Sequence, residues 1–367
     1  MITMHIDTAR TWRGGQNQAL LTVLGLRELG HRTVLVAHPK GELRRRASEG
    51  LDLVPLAPRS EIDLAAAWRL ARIVREFGPA VVHAHDPHGV AMAASALGLM
   101  SARRSDGAPA PTLVASRRVD FELKSNAFSR WKYRQVAAFV CASDCIRQML
   151  VGQGVPSSRA VTVHEGIDLA HVDAAPPESA REAFWLPRNA PVVGAVGALV
   201  DHKGHRYLIR AAAEVVRTIA DVRFVILGEG ERRGELTDLV KAMGLERHVL
   251  LPGFRPDVLS LLKTFDLFVM PSVTEGLGTS LLDAMACRRP IVASRVGGIP
   301  EVVVHDETGL LVAPREPEAL ARAIERVLRD HGLADRLARA GRTRVEQRFT
   351  AQRMVADTLG VYEQLAG

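Results

Sequence analysis

Twice along the chain, short apolar runs rich in β-branched residues alternate with longer segments of helical spacing. This doubled rhythm limits the fold more than any single motif. In the first half the strand-like runs fall near Thr3–Asp7, Thr33–Ala37, Ala80–His83, Thr112–Ser116, Phe139–Ala142 and Ala160–His164. Between them, Ile62 to Phe77 sets Ile62, Ala65, Ala66, Leu70, Ile73, Val74 and Phe77 at helical spacing, and the Ala-rich stretch Gly89 to Ala102 reads as a buried helix. Leu169 to Pro191 carries Pro176, Pro177, Pro187 and Pro191 and reads as a linker with one short helix around Glu178–Phe184. The rhythm restarts at Val192–Val196, Arg223–Leu227, Val249–Leu251, Leu267–Met270, Ile291–Ala293 and Leu310–Val312, and helices near 317–331, 333–346 and 350–365 follow. Helices between successive strands predict parallel sheets covered on both faces. The expected fold is α/β, with two Rossmann-like doubly wound domains at residues 1–170 and 171–349; helix 350–367 is expected to pack back on the first. Ligands of such sheets bind beyond the carboxyl ends of the strands, so a central cleft between the domains is the expected site.

The length of 367 residues suits two domains, and 47% apolar with 24% charged residues excludes a disordered chain, a collagen or a small disulfide scaffold. No uncharged apolar run reaches the roughly 18 residues of a membrane-spanning helix. No signal peptide is visible at the N-terminus, and three cysteines (Cys141, Cys145, Cys287) suit a reducing, cytoplasmic setting. They read as buried small hydrophobes rather than a metal or redox site. Charge is uneven. Residues 1–170 hold 22 Lys+Arg against 15 Asp+Glu; the remainder is 48 − 22 = 26 against 41 − 15 = 26. The whole +7 sits in the first half, a pattern that fits an anionic partner.

The most informative segment is EGLGTSLLD at 275–283, between a strand (DLFVMPS) and a helix. Gly276 and Gly278 let backbone N–H groups approach a ligand, and the amides of Thr279 and Ser280 open a helix toward an anion. Glu275 and Asp283 bracket the turn and can hydrogen-bond the hydroxyls of a sugar-containing ligand. Lys203, before Gly204 and the next helix, can neutralise a diphosphate. Gly14-Gly15 is expected to turn the chain before the first helix, with amides toward a distal phosphate. His85 lies past the strand AVVHA at its carboxyl end, whereas His83 falls within the strand.

In order and spacing these pieces resemble the retaining glycosyltransferases of family 4, which have the GT-B architecture. The resemblance runs through VVHAHDPHG at 81–89, HEGID at 164–168, DHKGH at 201–205, LGEGERRGEL at 227–236, LPGFRPDV at 251–258, VGGIPEVV at 296–303 and ETGLLV at 307–312. It implies a sugar donor, most commonly a UDP-sugar, on the second domain and an acceptor against the first, with no metal or cofactor. By resemblance Glu275 orients the donor sugar, Asp283 the ribose, His85 contacts the transferred sugar, Gly15 and Lys203 meet the diphosphate, and backbone at Arg255 touches the base. The family signature E-x7-E is E-x7-D here, and the Arg usual five residues before Lys203 is replaced by Ala198.

Arg117 and Arg118 end a further strand and, with Asp86, are candidate acceptor contacts; surface arginines in an Arg-rich chain are the alternative. LKSNAFSRWKYR at 123–134 interleaves aromatic and basic residues. It suits a helix at an anionic membrane surface, nucleic-acid stacking or an ordinary amphipathic helix. Lys40 and Arg44–Arg46 read as a solvated basic face. The expected activity is transfer to a glycan or lipid-linked acceptor, as in lipopolysaccharide or surface-polysaccharide synthesis. The enzyme would be cytoplasmic or peripheral at the inner membrane face, and nucleic acid is not an expected partner. A sugar-nucleotide epimerase or hydrolase and a non-catalytic nucleotide-sugar binder remain open. The weak GxGxxxG at 228–234, with no following ribose-binding acid, disfavours an NAD enzyme.

Overall fold

The computed structural model describes residues 1–47, 50–101, 110–123 and 126–366; Lys124 and Ala102, part of the readings above, lie outside them. The chain divides into two units, residues 1–166 with 351–367, and residues 167–350.

In the first unit β1 (Ile2–Asp7), α1 (Gly14–Glu28), β2 (Arg32–Ala37), α2 (Glu42–Arg46), β3 (Asp52–Pro55), α3 (Leu64–Phe77), β4 (Val81–Ala84) and α4 (Pro87–Ser101) follow in order. Then come β5 (Thr112–Arg117), α5 (Ala127–Arg134), β6 (Ala138–Cys141), α6 (Asp144–Gly152) and β7 (Ala160–Thr162). All strands are parallel, in the order β3-β2-β1-β4-β5-β6-β7. The helices have local causes. Asp63 accepts from the Ala66 amide at 2.9 Å to start α3, and Asn126 accepts from Ser129 at 2.8 Å to start α5.

The second unit opens with α7 (Leu169–Ala174) and α8 (Ala180–Ala183), so the proline-rich linker holds two short helices rather than one. It continues with β8 (Val192–Val196), α9 (His205–Thr218), β9 (Arg223–Leu227), α10 (Arg233–Ala242), β10 (Val249–Gly253), α11 (Val258–Leu262) and β11 (Leu267–Met270). It closes with α12 (Thr279–Ala286), β12 (Ile291–Ser294), α13 (Ile299–Val302), β13 (Leu310–Val312), α14 (Pro317–Arg329) and α15 (His331–Arg348). The parallel order is β10-β9-β8-β11-β12-β13. Its core joins Val193, Phe224, Ile226, Leu267 and Val269 of the sheet to Leu208, Ile209 and Val215 of α9 and Leu320 and Ile324 of α14. The near-continuous apolar strands follow from burial on both faces.

Finally α16 (Ala351–Ala366) returns to the first unit, packing Val355 against α1 at Gly25 and burying Met354, Val361 and Tyr362 with Val81 and Val114. Each sheet reverses its strand order once, between β1 and β4 and between β8 and β11. Loops diverge at such a reversal and leave a crevice at the carboxyl ends of the strands.

Candidate functional site

In the second unit the loops after β8 and β11 meet at the reversal. Lys203 Nζ lies 2.6 Å from Glu275 Oε2, and the Ser272 hydroxyl donates to the same oxygen at 3.0 Å. Both charged side chains are largely shielded, at 23% and 10% exposure, so the pair works in a less screened medium than a surface salt bridge. Backbone close approach builds this corner. Gly204 caps α9 at φ +67°, and a Cβ there would lie 2.0 Å from the Pro271 carbonyl oxygen. Gly297, at φ +51°, would put a Cβ 1.8 Å from the Glu275 carbonyl oxygen. Any side chain at either position would push the Lys203 and Glu275 loops away from their neighbours.

Gly278 caps α12, so the amides of Thr279 and Ser280 are in the first turn, where a helix leaves N–H groups without internal acceptors. The Ser280 hydroxyl donates to the Val196 carbonyl at 3.2 Å, tying α12 to the end of β8. Asp283, one turn in, has no side-chain hydrogen bond or ion pair among the described residues. Burial pushes its carboxyl up to about 7. Where an Arg was expected, the Ala198 carbonyl accepts from the buried His205 ring at 3.2 Å; burial holds that imidazole neutral, down to about 4. Arg255 is engaged elsewhere. It donates to Asp257 at 2.8 Å and to Glu178 at 3.0 Å and lies over the Phe184 ring, joining the α8 segment to the loop before α11.

In the first unit the loops after β1 and β4 meet at the other reversal. His85 directly follows β4, is 8% exposed, and shares its Nε2 with His5 Nδ1 at 3.1 Å. Its Nδ1 faces Ser116 Oγ at 3.1 Å and the Arg118 guanidinium at 3.2 Å. His83 meets Ser116 Oγ at 2.8 Å through Nε2 and the Tyr362 hydroxyl of α16 through Nδ1. His5 Nε2 pairs with Thr3 Oγ1 at 3.1 Å. Burial lowers the basicity of all three rings, His5 to about 3 and His83 and His85 well below the usual imidazole range; the charge of Arg118 adds to it.

Among the described residues these three histidines also form a cluster that could hold a metal ion, with ring nitrogens within 4.8 Å of one another. Each of the six nitrogens already has a polar partner, and a guanidinium adjoins His85. The donor set therefore suits a hydrogen-bond chain better than a cation.

Asp86 accepts from the Thr8 amide at 2.6 Å, the Thr8 hydroxyl at 2.9 Å, and the amides of His88 and Gly89, so it starts α4 and ties it to the end of β1. Arg118 pairs with Glu165 at 3.1 Å, whereas Arg117, nearly buried, donates to the Phe121 carbonyl. Gly14 and Gly15 are not a turn before the first helix: they are the first two residues of α1, whose start is set by Gln16 accepting from the Arg13 amide at 3.2 Å. The Gly15 amide is still among the first-turn donors.

His5, Ser116, Glu165 and Tyr362 were not assigned roles from sequence. His5 stands in register with His83 across β1 and β4, a pairing that becomes readable only once strand order is known. Of the basic–aromatic segment, Lys132 is 1% exposed and bonded to Glu61, while Trp131 stacks on Phe128 at 5.6 Å and stays partly exposed. Cys141 and Cys287 are buried, and burial pushes both thiols up to about 12, which leaves them unreactive.

Residues 12–171 match the family described as Glycosyltransferase Family 4, and residues 178–344 match Glycosyl transferases group 1. The alpha-D-kanosaminyltransferase of Streptomyces kanamyceticus is 29% identical over 95% of this chain and 98% of its own length. The 2-deoxystreptamine glucosyltransferase of the same organism is 31% identical over 66% of this chain, a match spanning 64% of that protein. The lipopolysaccharide core biosynthesis mannosyltransferase LpcC of Rhizobium leguminosarum bv. viciae is 31% identical over 66% of this chain and 69% of its own length. Among solved structures, Anabaena Alr3699/HepE in complex with UDP and glucose superposes with a TM-score of 0.85 at 20% identity, over 99% of this chain and all of that one.

Proposed function

The chain belongs to glycosyltransferase family 4 and has the GT-B fold, and on that premise we propose that it is a retaining enzyme using a UDP-sugar donor. The observation that carries the reading is the Lys203–Glu275 pair at the β8/β11 reversal, beside the first turn of α12 and the unpaired Asp283. Breaking the anomeric C–O bond leaves charge on the departing diphosphate and gives the sugar oxocarbenium character. Lys203 and the amides of Gly15, Thr279 and Ser280 supply donors for that negative charge. A diphosphate draws Lys203 away from Glu275, which frees the carboxylate for the sugar hydroxyls. Asp283 takes the ribose hydroxyls, and His85 contacts the transferred sugar. Arg255 contributes through its backbone, because its guanidinium is held by two acids. UDP is favoured because a close structural neighbour is bound to it.

The acceptor is proposed to be a glycan or lipid-linked saccharide held by the first unit, with Arg117, Arg118 and Asp86 as its candidate contacts. By name the relatives include a 2-deoxystreptamine glucosyltransferase and a lipopolysaccharide core biosynthesis mannosyltransferase, so the acceptor class rests on the excess of basic charge in the first half. No helix among the described residues is long and apolar enough to cross a membrane. Peripheral binding to an anionic inner-membrane face is supported by a cavity of about 400 Å³ between α5 and α6. Arg130, Arg134 and Arg159 line it beside Tyr133 and Phe139.

A thermal-shift screen tests the donor. A UDP-sugar should raise Tm and NAD should not, with the response lost in Lys203→Ala and Glu275→Ala. No response to any nucleotide sugar, or unchanged turnover in both variants, would overturn the assignment. Phosphatidylglycerol vesicles should pellet the protein at low salt and release it at high salt; failure at low salt removes the membrane proposal.

A further inference from the structure

Resting on the role given to His85 above, we infer that Tyr362, on the last helix, and Ser116 are positioning residues that hold the His85 ring in one orientation through a one-way chain of hydrogen bonds. The direction follows from donor chemistry alone. A guanidinium only donates, so His85 Nδ1, 3.2 Å from Arg118, must accept. The neutral ring then carries its proton on Nε2 and donates it to His5 Nδ1. His5 is neutral too, so its proton sits on Nε2 and goes to Thr3 Oγ1.

Ser116 has one hydroxyl proton. Ser116 shares the single Nδ1 lone pair of His85 with Arg118, and with its proton directed there its oxygen accepts from His83 Nε2–H. His83 Nδ1 is thereby bare and takes the Tyr362 hydroxyl proton. The chain runs Tyr362, His83, Ser116, His85, His5, Thr3, in a nearly dry interior where such bonds are stiff. His5, His83 and His85 all end as the Nε2–H form. The charged groups that face this chain are Arg118, after β5, and its partner Glu165, after β7.

The functional consequence is specific. Both ring nitrogens of His85 are engaged inside the protein, Nε2–H by His5 and the Nδ1 lone pair by Arg118 and Ser116, so the ring meets a sugar through its carbon edge or face, held in one orientation, and cannot act as a general base. Tyr362 reaches the His85 ring from α16, across His83 and Ser116, without itself standing at the sugar.

The test uses the full chain, with UDP-glucose hydrolysis in the absence of acceptor as the activity probe. Long-range ¹⁵N spectra of the histidine rings distinguish the two neutral tautomers and the charged form. In the wild type these three rings should all read as Nε2–H. Tyr362→Phe deletes only the hydroxyl and should scramble the tautomer of His83, while Arg118 keeps His85 as Nε2–H. It should lower kcat about tenfold with KM for UDP-glucose within about twofold. Ser116→Ala should do the same, and Ser116→Thr, which keeps a hydroxyl, should restore both readouts. An Nδ1–H ring at position 85 in the wild type overturns the proposal. So does an unchanged His83 tautomer, or an unchanged kcat, in both Tyr362→Phe and Ser116→Ala. If the wild type turns over no nucleotide sugar, the transferase reading fails while the ring spectra still judge the chain.

Discussion

The two strand-order reversals carry polar clusters of opposite kind. In the first unit the cluster is closed: three neutral imidazoles, a serine and a tyrosine satisfy one another in the interior. In the second it is poised: a cation and an anion neutralise each other, and a nearby acid has no partner. The first arrangement fixes geometry before a ligand arrives. The second stores charge that an incoming diphosphate and ribose can redistribute. The same topology thus serves rigidity on one side and responsiveness on the other, and the difference lies in which side chains the loops bring to the crevice.

The sharpest break is at the ion pair. Lys203→Ala removes a diphosphate contact and strands Glu275 in a shielded place, so UDP-glucose turnover should fall by roughly 100-fold or more. Glu275→Gln alone should also be severe, and the double variant should cost less than the sum of the two, as expected of directly coupled groups. Additive effects would show that the pair has no functional coupling.

A smaller loss is expected on the closed side. His85→Ala should reduce kcat by about tenfold while KM for UDP-glucose changes little, if the donor is held by the other unit as proposed. A raised KM with kcat intact would reverse the division of labour.

The next comparison is in pH. Burial raises the Asp283 carboxyl to about 7, above its unfolded value near 3.9. The folded state binds that proton more tightly, so this group's contribution to stability falls as pH rises from about 4 to about 7 and is flat above. Asp283→Asn should flatten that slope in Tm. A ribose favours the ionised form, so UDP affinity should weaken as pH drops from about 8 to about 6, and the variant should lose this dependence. An unchanged slope in the variant would show that another group titrates. The smallest effect is expected at Arg255. Arg255→Ala should lower Tm by a few degrees and leave UDP affinity within about twofold, because its guanidinium serves Asp257 and Glu178.

Much of this was readable in the residues. The strands of the second unit are apolar on both faces and bounded by turn residues, so β8, β9, β11 and β13 fall where the pattern puts them. β3 was missed because it has four residues, ends at Pro55 and sits at the sheet edge, where burial no longer enforces a pattern. The six-residue α7 was missed because it is shorter than two helical turns and lies against a proline pair. Site residues on one local motif, Glu275 through Asp283, were legible because the turn and the helix start specify each other. Tyr362 was not. Its partner is 279 residues away in the chain, and nothing local to a helix tells which face another element will meet.

The return of α16 to the first unit also sets an order of events during synthesis. Residues 167–350 are contiguous and leave the ribosome before Ala351–Ala366 do, so the second unit can close while the first still lacks its last helix. Until that helix docks, His83 has no hydroxyl from Tyr362 and the histidine chain is unfinished. The donor-side half of the molecule can therefore mature on the nascent polypeptide, whereas the half that holds His85 becomes competent only after Tyr362 has been translated.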